Sequence, residues 1–124
     1  MKNKPTYDFK GWRETFKCNI SIAKYYYDNS LAISLEDADT GEPICTLTVC
    51  LALEDFGIYD KGLCYLDTNN NPFAEEFIVT NKLGKPLIDK KGEKFYAHSG
   101  YWFYPLYKMD MELLRSVCVR NNYD

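Results

Sequence analysis

Apolar and polar residues begin to alternate at residue 16, with Phe16, Cys18, Ile20 and Ile22 set against Thr15, Lys17, Asn19 and Ser21. Alternation of this kind marks a strand with one buried face, so a strand is predicted from Phe16 to about Tyr26. Asp28-Asn29-Ser30 supplies turn chemistry. Leu31, Ile33 and Leu35 then alternate with Ala32, Ser34 and Glu36, which predicts a second half-buried strand hairpinned to the first. A further turn over residues 37–43 leads into residues 44–53, where Cys45, Leu47, Val49, Leu51 and Leu53 share one face. That stretch predicts a third strand, the central one of the sheet. Leu63-Cys64-Tyr65-Leu66 is short, apolar and β-compatible, a fourth strand. Short loops between sequential strands make an antiparallel meander the simplest topology.

The period then changes to that of a helix. Asn71 suits an N-cap, Pro72 the first helical position where a missing N–H is harmless, and Glu75 and Glu76 the positive end of the helix dipole. Phe73, Ala74, Phe77 and Ile78 form an apolar stripe, Lys82 suits the negative end, and Gly84 suits the left-handed residue past the last turn. The helix is predicted over residues 72–81. Asp89-Lys90-Lys91-Gly92 reads as a turn between edge strands around Leu87-Ile88 and Phe95-Tyr96. The aromatic run at residues 100–107 predicts a strand that Pro105 confines to an edge or an end. Asp110 can cap a last short helix with Met111, Leu114 and Cys118 inward.

Together these elements predict an α+β fold: an antiparallel β-meander of about four to five strands packed with one central helix and a short C-terminal helix. The 124 residues fit a single domain, 1–124, with frayed ends, and a chain of that size buries about two-thirds of its unfolded surface.

Charge narrows the function classes. A net charge of −3 and a pI near 5.2 provide no basic face for a phosphate backbone, so nucleic acid is a disfavoured partner. No apolar run approaches the roughly 20 residues of a membrane span, and Met1-Lys2-Asn3-Lys4-Pro5 is not followed by a signal-peptide core. A cytoplasmic protein with no membrane partner is expected. Cys18, Cys45, Cys50, Cys64 and Cys118 are an odd, scattered set, which argues for reduced, buried thiols over a disulfide framework. Cys45 and Cys50 face opposite ways in an extended segment, so no metal site is expected there.

Catalytic chemistry finds little support. His98, the single histidine, stands in a loop context between Ala97 and Ser99, with no cysteine or acid placed beside it by the sequence. Glu75 and Glu76 point about 100° apart on a helix. Asp37 and Asp39 flank a turn, and Asp110 with Glu112 belongs to a helix start. Walker and GxGxxG patterns are absent, and Gly84-Lys85 follows a helix where a phosphate loop precedes one. Asp67 with Asn69-Asn70-Asn71 lacks the spaced acids of a calcium loop. No catalytic residue, metal or cofactor is called for.

The compositional excess is aromatic, concentrated in Tyr25-Tyr26-Tyr27 and Tyr101-Trp102-Phe103-Tyr104. Exposed tyrosine and tryptophan anchor protein interfaces, or serve as platforms for unpaired bases. The interaction candidates are therefore Tyr25, Tyr27, Tyr101 and Trp102, with Asn69 and Asn70 at the rim. Lys82, Lys85, Lys90, Lys91 and Lys94 form the one local basic stretch that base stacking could use. The competing reading is that helices cover both clusters as core.

Several segments together carry a resemblance: Asn29-Ser30-Leu31-Ala32-Ile33, Gly41-Glu42-Pro43, Leu47-Thr48-Val49, Asp67-Thr68-Asn69-Asn70, Phe73-Ala74-Glu75-Glu76-Phe77-Ile78, Leu83-Gly84-Lys85-Pro86 and Tyr104-Pro105-Leu106-Tyr107. In this order they resemble a family of small bacterial proteins of unknown function, domain-of-unknown-function family 4313, over roughly residues 20–108. The resemblance implies cargo of plasmids, conjugative elements and phages, and no catalytic residues. Cys50 departs from the Thr-Val-Asn pattern of that family. The expectation is a non-catalytic interaction module of a mobile element whose partner is a host or element protein, an anti-CRISPR-like inhibitor of host defence. Single-stranded nucleic-acid binding by aromatic stacking is the alternative.

Overall fold

A computed structural model of the chain describes residues 4–11, 13–27, 29–51 and 62–124. The fold is α+β, with two short helices and two antiparallel-rich sheets. The first sheet has the order β1-β2-β3-β4, from Tyr7–Lys10, Thr15–Lys24, Leu31–Asp37 and Pro43–Thr46, and β10 (Arg120–Asn122) joins β2 in parallel. The second has the order β5-β6-β9-β7, from Thr48–Val49, Leu63–Leu66, Trp102–Met109 and Gly84–Pro86, with β8 (Tyr96–Ser99) also on β9.

The β2–β3 hairpin follows the predicted alternation. Ile20 pairs with Leu35 and Ile22 with Ile33, and with Cys18 and Leu31 these side chains are buried on one face. Asn29 closes the loop at φ 59°, a left-handed value that asparagine tolerates. Asp28 of that predicted turn lies outside the described residues.

The predicted third strand is not one strand and not central. It divides at Leu47 into β4, an edge of the first sheet, and β5, an edge of the second. Leu47 donates its N–H to the Ile33 carbonyl at 2.8 Å, while its own carbonyl accepts from Asp67 N–H at 2.7 Å. One residue is thus bonded to both sheets. Thr48 completes the joint: its buried hydroxyl accepts from Ile33 N–H at 3.1 Å and shares a 2.8 Å hydrogen bond with the Tyr25 hydroxyl. Ala52 and Leu53 lie outside the described residues.

The main core is shared between the sheets. Ile20, Ile33 and Leu35 meet Cys64, Leu66, Tyr107 and Met109, with Phe77 and Ile78 of α1 (Ala74–Thr80) and Leu114 of α2 (Met111–Val117) packed in. The opposite face of the second sheet holds a smaller cluster, Leu63, Tyr65, Tyr104 and Leu106. Burial on both faces explains why residues 63–66 and 104–107 are continuous apolar runs without alternation.

Helix α1 begins later than predicted, and Asn71 does not cap it. Its side chain donates instead to the Thr46 carbonyl at 2.9 Å, and Phe73 stands at the N-cap without a side-chain bond. The left-handed residue past the helix is Lys82, φ 57°, not Gly84. Lys82 N–H bonds the Val79 carbonyl and Leu83 N–H the Ile78 carbonyl, which is a Schellman stop with Leu83 and Ile78 as its buried pair. Gly84 serves close packing: a Cβ there would lie 2.6 Å from Met109 Sδ and 2.8 Å from the Lys108 carbonyl oxygen. Helix α2 is capped as predicted, Asp110 accepting from Leu113 N–H at 3.1 Å.

Strand β9 lies between β6 on one side and β7 and β8 on the other, although Pro105 predicts an edge or an end; at Pro105 itself only the β8 side is paired. Leu106 N–H bonds the Phe95 carbonyl, so the Pro105 nitrogen faces the other side, where the β6 pairing ends at Tyr65–Leu106. No ladder bond is lost there. The pattern of alternation predicts no strand near either end, yet β1 pairs with β2, and the Arg120 guanidinium of β10 bonds both Glu36 carboxylate oxygens at 3.1 Å.

Candidate functional site

Two strands and a tight loop bring together four exposed aromatic residues. Ser99 pairs with Trp102 around the two-residue loop Gly100-Tyr101, and Gly100 takes φ 63°, as the first position of a type II′ turn requires. Tyr101 therefore stands at the tip, fully exposed at 103%. Behind it, Phe103 is 60%, Tyr96 51% and Trp102 40% exposed. His98, read from the sequence as a loop residue, lies in β8 opposite Phe103, their rings stacked with centroids 4.7 Å apart. Directly paired residues share a face, so Tyr96, His98, Phe103 and Pro105 form one side of the hairpin.

The asparagine turn is fixed beside it. Asp67 accepts from the Asn70 backbone at 3.1 Å and from the Asn70 side chain at 2.9 Å, leaving Asn69 exposed. Trp102 Nε1–H donates to the Thr68 hydroxyl at 2.9 Å, which ties the indole to that turn. Four of the residues singled out from sequence, Asn69, Asn70, Tyr101 and Trp102, are thereby brought to one end of the second sheet.

Tyr25 and Tyr27 are not part of it. Tyr25 turns inward to Thr48, and burial raises its pKa. Tyr26 and Tyr27 are exposed but belong to the β2–β3 loop of the other sheet. Phe103, Tyr96 and His98 are the members that sequence reasoning missed. The sequence signal was present in Ser99-Gly100-Tyr101-Trp102, a two-residue hairpin loop flanked by β-compatible residues.

At the base of the hairpin, Glu75 of α1 accepts from Tyr107 at 2.7 Å and from Lys94 at 2.8 Å on the same oxygen. Burial, then the bond to Glu75, raises the Tyr107 pKa. This fastens β9 and residues 87–95 to the helix. Those residues form a small excursion, with Ile88 bridged to Lys94 and Asp89 accepting from Lys91 and Glu93 N–H groups.

None of the five cysteines is in a disulfide. Burial pushes Cys18 and Cys64 up to about 12 and Cys45 up to about 11, so these three stay protonated near neutral pH and are poor nucleophiles. No group of three or more metal-ligating side chains occurs among the described residues. An open cleft of about 470 Å³ between β1, β2 and α1 is lined by Tyr7, Phe73 and Phe77 with charges of both signs, apart from the aromatic hairpin. No described helix is long and apolar enough to cross a membrane.

The family model described as Domain of unknown function (DUF4313) matches residues 19–123. The chain belongs to that family. No curated protein and no solved structure matches it. The DUF4313 match begins within β2 and takes in the strands that follow and the aromatic hairpin, leaving out β1 and the start of β2.

Proposed function

We propose that this DUF4313 chain is a non-catalytic protein-interaction module whose contact surface is the β8–β9 hairpin with the asparagine turn at its rim. One observation carries the reading: Tyr101, Phe103, Tyr96 and Trp102 stay exposed on the hairpin although a large apolar side chain gains about 1.5–3 kcal/mol on full burial. Tyr96 and Phe103 on one face of the hairpin, Trp102 on the other and Tyr101 at the tip place exposed aromatics around one hairpin end, and exposed tyrosine and tryptophan are the usual anchors of an interface. The protonated thiols and the engagement of His98 with Phe103 support the non-catalytic part.

The partner proposed is a host protein, and the chain an inhibitor of host defence carried by a mobile element. Family resemblance supports that assignment. The test is capture of a partner from host lysate together with a phage and plasmid restriction assay. Recovery of a defence protein with relief of restriction agrees with the proposal; no partner and no effect on restriction would sink it.

Base stacking on the same hairpin is the second reading, favoured by the exposed His98–Phe103 stack and by Lys90 and Lys91 on the neighbouring excursion. Titration with single-stranded oligonucleotides would then quench Trp102 and weaken with added salt. A flat titration at low salt removes it.

A further inference from the structure

Sheet edges are normally guarded against pairing with foreign strands by charge, proline, bulges or short length. Among the described residues the edges follow that rule by charge, proline or a length of two residues, with one exception. Strand β1 carries Asp8 and Lys10, β4 begins at Pro43, β5 has two residues, β7 holds Lys85 and Pro86, and β10 has Arg120. Strand β8, Tyr96-Ala97-His98-Ser99, has no acid, lysine, arginine or proline.

Its free groups can be assigned. Leu106 N–H bonds the Phe95 carbonyl, and Ser99 and Trp102 close the two-residue loop, so odd-numbered residues of β8 bond toward β9. The N–H and C=O of Tyr96 and His98 therefore face outward along the open edge. On one face this edge is backed by the rings of Tyr96, His98 and Phe103. On the other, small Ala97 and Ser99 leave room beside Trp102 and Tyr104. Beyond the Tyr96 end, the excursion presents Lys90 and Lys91 to solvent.

We propose that β8 is a strand-addition site that takes an extended segment of a partner protein, apolar or β-branched at alternate positions and acidic at the end that meets Lys90 and Lys91. The proposal rests on the interaction-module reading and names the mode of binding. Main-chain hydrogen bonds to Tyr96 and His98 supply affinity, and the alternate side chains supply selectivity. A second copy of this chain would satisfy the same hydrogen bonds, but antiparallel β8 pairing would set Ser99-Gly100-Tyr101, which carries no acid, against the lysines.

The test is amide hydrogen exchange on the full chain with a synthetic peptide of alternating valine and threonine bearing two glutamates at one end. Saturable binding should slow exchange at Tyr96 and His98 by about tenfold or more, and a lysine-ended peptide should bind more weakly. His98→Pro removes an outward N–H without touching an inward bond and should abolish protection; His98→Lys, which keeps the N–H and adds a guarding charge, should weaken it. Absence of protection, or binding that survives both variants, overturns the proposal. Concentration-dependent dimerisation that protects the same amides would assign the edge to a second copy and overturn the partner assignment. A partner protein lost on Tyr101→Ser and Phe103→Ser but retained by His98→Pro refutes strand addition while leaving the interaction reading intact.

Discussion

Replacing Thr48 by valine tests how the two sheets are joined. The side chains are nearly equal in volume, so packing is preserved while two polar groups lose their partner: the Ile33 N–H at 3.1 Å and the Tyr25 hydroxyl at 2.8 Å. Thr48 is 3% exposed, so solvent cannot replace the bond to Ile33. An unsatisfied buried N–H costs about 1–3 kcal/mol and the bond to tyrosine contributes about 1 more, so Thr48→Val should destabilise by about 2–4 kcal/mol. Tyr25→Phe removes only the second bond and should cost about 1 kcal/mol. Equilibrium urea unfolding separates them: with a slope near 1.5 kcal/mol per M, the midpoint falls by more than about 1 M for Thr48→Val and by about 0.7 M for Tyr25→Phe. The reasoning is refuted if Thr48→Val unfolds within about 0.5 kcal/mol of the parent, or if Tyr25→Phe is the more damaging change.

Two further outcomes follow from packing and titration. Gly84→Ala should cost about 1–3 kcal/mol, because the Lys108 carbonyl 2.8 Å from the new Cβ is backbone and cannot swing aside as the Met109 side chain can; an unchanged thermal midpoint would remove the packing account of this glycine. Stability should fall above pH 9 under reducing conditions, since Cys18 and Cys64 hold their protons up to about 12 in the fold whereas unfolded thiols lose them from about 9. The unfolded state then binds fewer protons, the slope is negative at about 1.4 kcal/mol per pH unit for each thiol, and Cys64→Ala should flatten urea-derived stability over pH 9–11.

Strands β2 and β3 were legible because each buries one face only, which writes a period of two into the sequence. The break at Leu47 was not, because Cys45, Leu47, Val49 and Leu51 keep alternating across the crossing. A period reports which way a side chain faces, not which sheet receives it. Strands β1 and β10 are short and lie at the chain ends, and their pairing depends on partners distant in sequence. The helix punctuation was half legible: Asn71-Pro72 and Gly84 have the residue types of a cap and a stop, yet Asn71 bonds Thr46 and Gly84 makes room for Met109. In the candidate site, Tyr101, Trp102, Asn69 and Asn70 could be named from sequence because loop signals flank them. Tyr25 could not be separated from Tyr26 and Tyr27, since only the position of Thr48 decides which tyrosine turns inward.

The central claim is that the β8–β9 hairpin holds its aromatics outward for a protein partner. Tyr101→Ser combined with Phe103→Ser tests it most directly, measured by urea unfolding alongside binding to the partner captured by the parent chain. The account predicts an unfolding midpoint close to that of the parent and loss of binding by about tenfold or more, as for interface anchors. Undiminished binding at full stability would contradict it.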